Sequence, residues 1–118
     1  MSKRPHENLD VWKVSIGLIE QIYKITPKFP KEETYGLVLQ MRRAAISISC
    51  NIAEGAARQT KTEFKQFVFI ARGSLSELET QIIISLRLGY ISSEEYKGIM
   101  EITERIGRML TGLTSKLK

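Results

Sequence analysis

Apolar residues in this 118-residue chain recur three and four positions apart in four blocks. Nowhere do they alternate with period two for long enough to read as a strand. The first block carries Val11, Trp12, Ile16, Ile19, Ile22 and Tyr23 behind Asp10, whose carboxylate is placed to cap a helix over about residues 10–26. Pro27 and Pro30 bracket the loop that follows, and a second helix is expected over about 33–57. After the polar turn RQTK, Thr60 is the expected cap of a third helix, about 61–88, with Glu63 completing a capping box. That helix holds Phe64, Val68, Ala71, Leu75, Leu78 and Ile82, and Gly89 stops it as a left-handed C-terminal cap. Ser92 with Glu95 is another capping box, opening a fourth helix over about 93–117. Tyr96, Ile99, Thr103, Ile106, Leu110, Leu113 and Leu117 repeat along it as a three–four heptad. Four helices on short loops predict an all-α, antiparallel up-down-up-down four-helix bundle, one domain over residues 1–118.

The second helix departs from its neighbours. Between Tyr35 and Ala57 its only formal charges are Arg42, Arg43 and Glu54. Leu37, Met41, Ala44, Ile48 and Ile52 supply a core stripe, while Val38, Ala45, Ile46 and Ala53 extend the apolar surface beyond it. A helix apolar nearly all round is buried nearly all round, and a chain this small is expected to need another subunit for that. Phe67, Phe69, Ile70, Ile83 and Ile84 on the third helix add to the same expectation of a homo-oligomer.

Within the apolar surround runs a polar line. At about 100° per residue, Gln40, Arg43, Ser47, Asn51, Glu54 and Arg58 share one sector of the second helix. Glu54 and Arg58 are four apart, in the favourable order for a surface ion pair. Glu63, Gln66, Ser74, Glu77 and Gln81 form a second line on the third helix. Arg43, Ser47, Asn51, Glu54, Ser74 and Glu77 are therefore expected to form an interhelical or intersubunit polar network that fixes register. Arg42 lies outside that sector and is the candidate to face a partner or a channel.

The formal charge of +5 makes a polyanion partner plausible, because basic surfaces release counterions from phosphates. In an up-down bundle the N-terminus, the second turn and the C-terminus share one end. Lys3, Arg4, Arg58, Lys61, Lys65, Arg108, Lys116 and Lys118 would gather there, against Glu7, Asp10, Glu54 and Glu63. Apart from Phe64, which belongs to the apolar stripe of the third helix, no aromatic residue stands within these basic clusters, so stacked bases are not expected. The alternative is a solvated, charged end on a structural or protein-interaction adaptor.

Catalytic chemistry finds no foothold. His6 is the single histidine and Cys50 the single cysteine, and they are far apart in the chain. Glu54, Glu77 and Glu79 lack the Glu-x-x-His partners of di-metal bundles, and no glycine-rich phosphate loop is present. No catalytic residue, metal or cofactor is expected. One cysteine excludes an internal disulfide; with no apolar leader or membrane-length run, a cytoplasmic location is expected.

The segment FPKEETYGLVLQMRRAAISISCNIAEGAARQTKTEFKQF, followed by IARGSLSELETQIIISLRLGYI, carries a resemblance. The motifs YGL, RRAA, NIAEG and GSL-EL together resemble the four-helix-bundle proteins encoded within 23S rRNA intervening sequences. The likeness begins near Val11 to Lys13 and fades along the fourth helix. It implies an all-α bundle and a ring-like homo-oligomer, a pentamer. Accessory proteins of diversity-generating retroelements are similar too, and those bind nucleic acid and a reverse transcriptase. No enzymatic activity comes with the resemblance. Where that family commonly reads Ser-Ile-Pro-Ser-Asn, this chain has Ser47-Ile48-Ser49-Cys50-Asn51, so its second helix is expected to run straighter. The function expected is non-enzymatic, electrostatic binding of RNA or DNA with little sequence preference.

Overall fold

In the computed structural model, which describes residues 4–117, the four apolar blocks become four helices. They are α1 (Asp10–Ile25), α2 (Leu37–Ala56), α3 (Lys61–Arg87) and α4 (Ser93–Lys116), with no strand among the described residues. The long axis of 44 Å matches the roughly 40 Å that α3 spans at 1.5 Å per residue. Each helix packs on the next in the chain, and α1 packs on α4. Gly55 lies against Phe64 and Phe67, Ser47 bonds Ser74, and Ser85 bonds Met41. Residue number thus rises along α2 as it falls along α3. The start of α1 likewise adjoins the end of α4, where Leu9 and Asp10 share a depression with Leu113 and Lys116.

The core follows the apolar stripes. Ile48 and Ile52 of α2, Leu78 and Ile82 of α3 and Ile106 and Leu110 of α4 are fully buried. On α1 the buried line is Val11, Ser15, Leu18, Ile22 and Ile25, so Leu18 and Ile25 belong to it while Tyr23 is exposed. Val38 and Ala45 are buried within the single chain. The chain's own elements cover both, so this part of the apolar surround needs no second subunit. Ile46 remains exposed.

The helix ends show what local signals specify. Ser92 and Glu95 make the reciprocal box, with Glu95 N donating to Ser92 Oγ at 3.0 Å and Ser92 N donating to Glu95 Oε1 at 2.9 Å. At α3 only half of the box forms: Glu63 N donates to Thr60 Oγ1 at 3.1 Å, but the Glu63 carboxylate takes the Thr60 hydroxyl instead of its backbone N–H. Gly89 has the left-handed φ of 77° expected of it. Asp10 is the first residue of α1 and makes no side-chain cap; its charge complements the helix dipole instead.

The start of α2 falls later than the expected residue 33. Lys31–Glu33 form a separate 3-10 turn, and α2 begins after Gly36. Glu33 Oε1 accepts the Leu37 N–H at 3.3 Å, and its Oε2 accepts the Tyr90 hydroxyl at 3.0 Å. A carboxylate outside the helix therefore serves its first turn and ties it to the α3–α4 connection. From Leu37 to Ala56 α2 is unbroken through Ser49, whose Oγ donates to Ile46 O at 3.0 Å.

Lys28, just beyond α1, pairs with Glu95 at the first turn of α4. The Lys28 ammonium and then the Ser92 N–H hold the Glu95 carboxyl below the usual glutamate range. A depressed folded-state pKa stabilises above the unfolded pKa and is lost as pH falls through the folded value. Acid titration below about pH 4 should therefore fray the start of α4, seen as faster amide exchange at Tyr96 and Lys97. Glu95→Gln should remove that acid-dependent step. A step that persists in Glu95→Gln would assign it elsewhere.

Candidate functional site

Two features of the α2–α3 pair carry the candidate chemistry: a polar seam and a close helix approach. Ser47 Oγ lies 2.8 Å from Ser74 Oγ across the seam. Asn51 Nδ2 donates to Ser47 O at 2.8 Å and to Ser47 Oγ at 3.0 Å. Of the six residues expected in the network, these three are joined. Glu77 accepts from its helix neighbour Gln81, whose Nε2 lies 3.4 Å from Glu77 Oε1, and among the described residues has no hydrogen bond across the seam. Glu54 is exposed and pairs with Arg58 at 3.5 Å, as its spacing predicts. Arg43 is exposed. Within one chain the seam is a short line of neutral hydroxyl and amide groups, with the charged members on its solvent side.

The close approach sits one turn further on. A Cβ on Gly55 would meet Phe67 Cβ at 2.7 Å, Phe64 Cδ1 at 2.9 Å and Phe64 O at 3.2 Å. No side chain fits there, so the glycine of NIAEG lets α2 and the first turns of α3 come together. Arg58, directly past α2, is thereby set over the Phe67 ring, 4.8 Å from its centroid. An aromatic face thus does accompany one of the basic residues, through tertiary contact and not through sequence neighbourhood.

The basic positions divide as follows. Arg58 and Lys61 are exposed around the α2–α3 turn, and Lys65 is half-buried one turn into α3. Arg108 and Lys116 are exposed on the C-terminal half of α4, with Lys116 beside Leu9 and Asp10. Arg4 is exposed before the short Pro5–Asn8 turn, which packs on α2. Lys3 and Lys118 lie outside the described residues. Arg42 is not with this group. Its Nε and Nη2 donate to Thr26 Oγ1 at 3.1 and 2.9 Å, and its guanidinium lies 4.2 Å from the Tyr23 ring centroid. Thr26 in turn donates to Ile22 O at 2.8 Å. Arg42 thus clips the end of α1 to α2, where sequence placed it towards a partner or channel.

On its outer side α3 exposes Phe69, Ile70, Ile83 and Ile84, each 40–50% accessible. Sequence reasoning missed another arrangement, the groove between α3 and α4, because its residues come from two helices and share no motif. Arg72, Ser76 and Glu79 line one wall, and Glu104, Arg108 and Thr111 the other.

Among the described residues no cluster of three His, Cys, Asp or Glu side chains is placed to hold a metal ion. Cys50 is exposed. Among the described residues no helix is long and apolar enough to cross a membrane.

The model for the 23S rRNA-intervening sequence protein family matches residues 7–112. The chain belongs to that family. A crystal structure of a protein of unknown function from the S23 ribosomal protein family of Bacteroides thetaiotaomicron is similar, with a TM-score of 0.81 and 23% identity. That likeness covers 89% of this chain and 95% of the other, and at such identity it concerns the fold. No curated protein matches the chain. Membership in the intervening-sequence family agrees with the YGL, RRAA, NIAEG and GSL-EL motifs. Three of these four fall on α2 and α3, where the seam and the close approach are built.

Proposed function

We propose that this intervening-sequence protein is a non-enzymatic, ring-like homo-oligomer, a pentamer, of up-down four-helix subunits that binds RNA or DNA through its basic end. The observation that carries the reading is the grouping of Arg58, Lys61 and Lys65 about the α2–α3 turn, beside the helix end that bears Arg108 and Lys116. The N-terminal dipole of α3 adds positive potential at the same place. A closed ring repeats that end once per subunit, giving a rim that tracks a phosphate backbone with little regard for sequence. The exposed isoleucines and phenylalanine of α3 support burial against a neighbouring copy. The location we propose is the cytoplasm. A reverse transcriptase or another nucleic-acid enzyme is a partner consistent with this role.

Electrostatic binding sets the test. If each complex neutralises three phosphates of a single strand, raising salt from 50 to 200 mM weakens binding by about 16–20-fold. Lys61→Glu with Arg58→Glu should weaken RNA binding at low salt and flatten the salt slope. Lys61 is the first residue of α3, so an acid there suits the helix dipole and should leave the fold intact. Salt-independent binding, or binding unchanged in the double variant, would rule out the basic-end reading and favour a protein adaptor.

A further inference from the structure

The groove between α3 and α4 is an open cleft of about 560 Å³, within the roughly 300–1,000 Å³ typical of small-molecule sites. Its floor is Leu75 beneath Gly107, where an added Cβ would stand 3.5 Å from Leu75 Cδ2. The depression exists because residue 107 has no side chain to fill it. Its walls carry two arginines and two glutamates, Arg72 and Arg108 with Glu79 and Glu104. None of the four is in an ion pair; among the described residues the ion pairs are Lys28–Glu95 and Arg58–Glu54. Among the described residues their one aromatic contact is that of Arg72, whose guanidinium lies 5.8 Å from the Phe69 ring centroid and keeps its hydrogen-bond donors free, so two donors and two acceptors remain for a ligand.

Their order along the groove matters. The helices are joined by the short turn at residues 88–92, so low numbers on α3 face high numbers on α4. Arg72 therefore lies towards Arg108 and Thr111, and Glu79 towards Glu104 and Thr103. One end is cationic and the other anionic. Seven residues of α3 separate Arg72 from Glu79, roughly 10 Å of helix rise. That separation is comparable to the reach from a 5′-phosphate to the far edge of its purine.

We propose that this groove binds a single guanine nucleotide, with Arg72 and Arg108 on its phosphate and Glu79 and Glu104 on its base. Guanidinium groups suit phosphate oxygens by paired, charge-assisted hydrogen bonds. A carboxylate accepts from the adjacent N1–H and N2–H of guanine, whereas adenine and cytosine offer it one amino group beside an acceptor. Ser76 and Thr111 supply hydroxyls to the ribose and phosphate. The inference rests on the nucleic-acid reading and deepens it: Arg108 belongs to both the basic end and the groove, so a strand tracked along the end can place one unstacked base here.

The experiment is titration of the full chain with guanosine 5′-monophosphate, followed by amide shifts in NMR, with guanosine and inorganic phosphate as partial probes. Shifts should centre on residues 72–79 and 103–111, and each partial probe should bind at least about tenfold more weakly. Gly107→Leu fills the floor, changes no charge and favours helix, so it should abolish the shifts. Gly107→Ala, which meets Leu75 at ordinary contact distance, checks that a side chain here still folds. Arg72→Gln with Arg108→Gln should weaken the nucleotide about tenfold or more and leave guanosine unchanged. Nucleotide binding that survives Gly107→Leu would overturn the proposal, as would a Gly107→Leu change in solution mass, which would make the groove a subunit contact. RNA binding lost in Lys61→Glu with Arg58→Glu but kept in Gly107→Leu, together with nucleotide binding, would leave the basic end standing and reject the groove.

Discussion

Gly55→Ala is expected to lower the unfolding temperature, although alanine is the better helix former. In an exposed helix interior the exchange stabilises by up to about 1 kcal/mol. At Gly55 the new methyl would stand 2.7 Å from Phe67 Cβ and 2.9 Å from Phe64 Cδ1. The carbonyl of Phe64 at 3.2 Å closes the remaining route, and backbone cannot rotate aside as a side-chain tip can. Overpacking of this kind costs roughly 1–3 kcal/mol, and Gly55 is next to the last residue of α2, where the propensity gain is smallest. A net loss of about 1–3 kcal/mol is about 4–12 °C for a domain of this size. Gly17→Ala, Gly73→Ala and Gly112→Ala are the controls, since nothing lies within 4 Å of a Cβ at those positions; thermal melts should show each at or above the wild type. A Gly55→Ala protein that melts with them would mean that the α2–α3 approach is looser than described.

Ile70→Glu with Ile84→Glu is expected to reduce the proposed ring to a 13.5 kDa monomer in light scattering. Both residues are exposed in the single subunit, at 50% and 42%, so their replacement leaves the subunit core untouched. Buried against a neighbour, each glutamate would be an uncompensated charge, a penalty of several kcal/mol, roughly 3–5 where no partner is supplied. In a ring the penalty recurs at every contact. The monomer should keep its helical circular dichroism, which separates loss of assembly from loss of fold. A wild-type protein that itself runs as a monomer would remove the oligomer from the proposed function. A double variant that stays assembled would move the interface away from this face of α3.

The same two helices show how far the sequence could be read. Three-and-four spacing identified all four helices, and Thr60, Gly89 and the Ser92–Glu95 box marked ends that form as expected, because such signals act within one turn of chain. The Glu54–Arg58 pair was legible for the same reason. The start of α2 was not, since its first turn is served by Glu33 acting from outside the helix and shared with Tyr90. From sequence alone, any of the helix-interior glycines could mark a close helix approach. At Gly17, Gly73 and Gly112 the structure shows open space instead, and the tight contact falls at Gly55.

The polar line on α2 divided along similar terms. Its angular sector was computable from residue number, yet which members meet α3 depended on how the two helices face each other. Ser47, Asn51 and Ser74 fall inside the contact, while Arg43, Glu54 and Glu77 fall outside it. Arg42, one position along, turned towards α1 because Thr26 and Tyr23 await it there.

By itself, then, the sequence determined the number of helices, most of their limits and their apolar faces, since helix period and capping depend on residues three or four apart. Only the tertiary structure decided the Gly55 approach, the clip of Arg42 on Thr26, the Phe67 face under Arg58 and the four-charge groove of α3 and α4. Each of these joins residues from different helices, and the rotation and depth at which two helices pack are set by the side chains of both together.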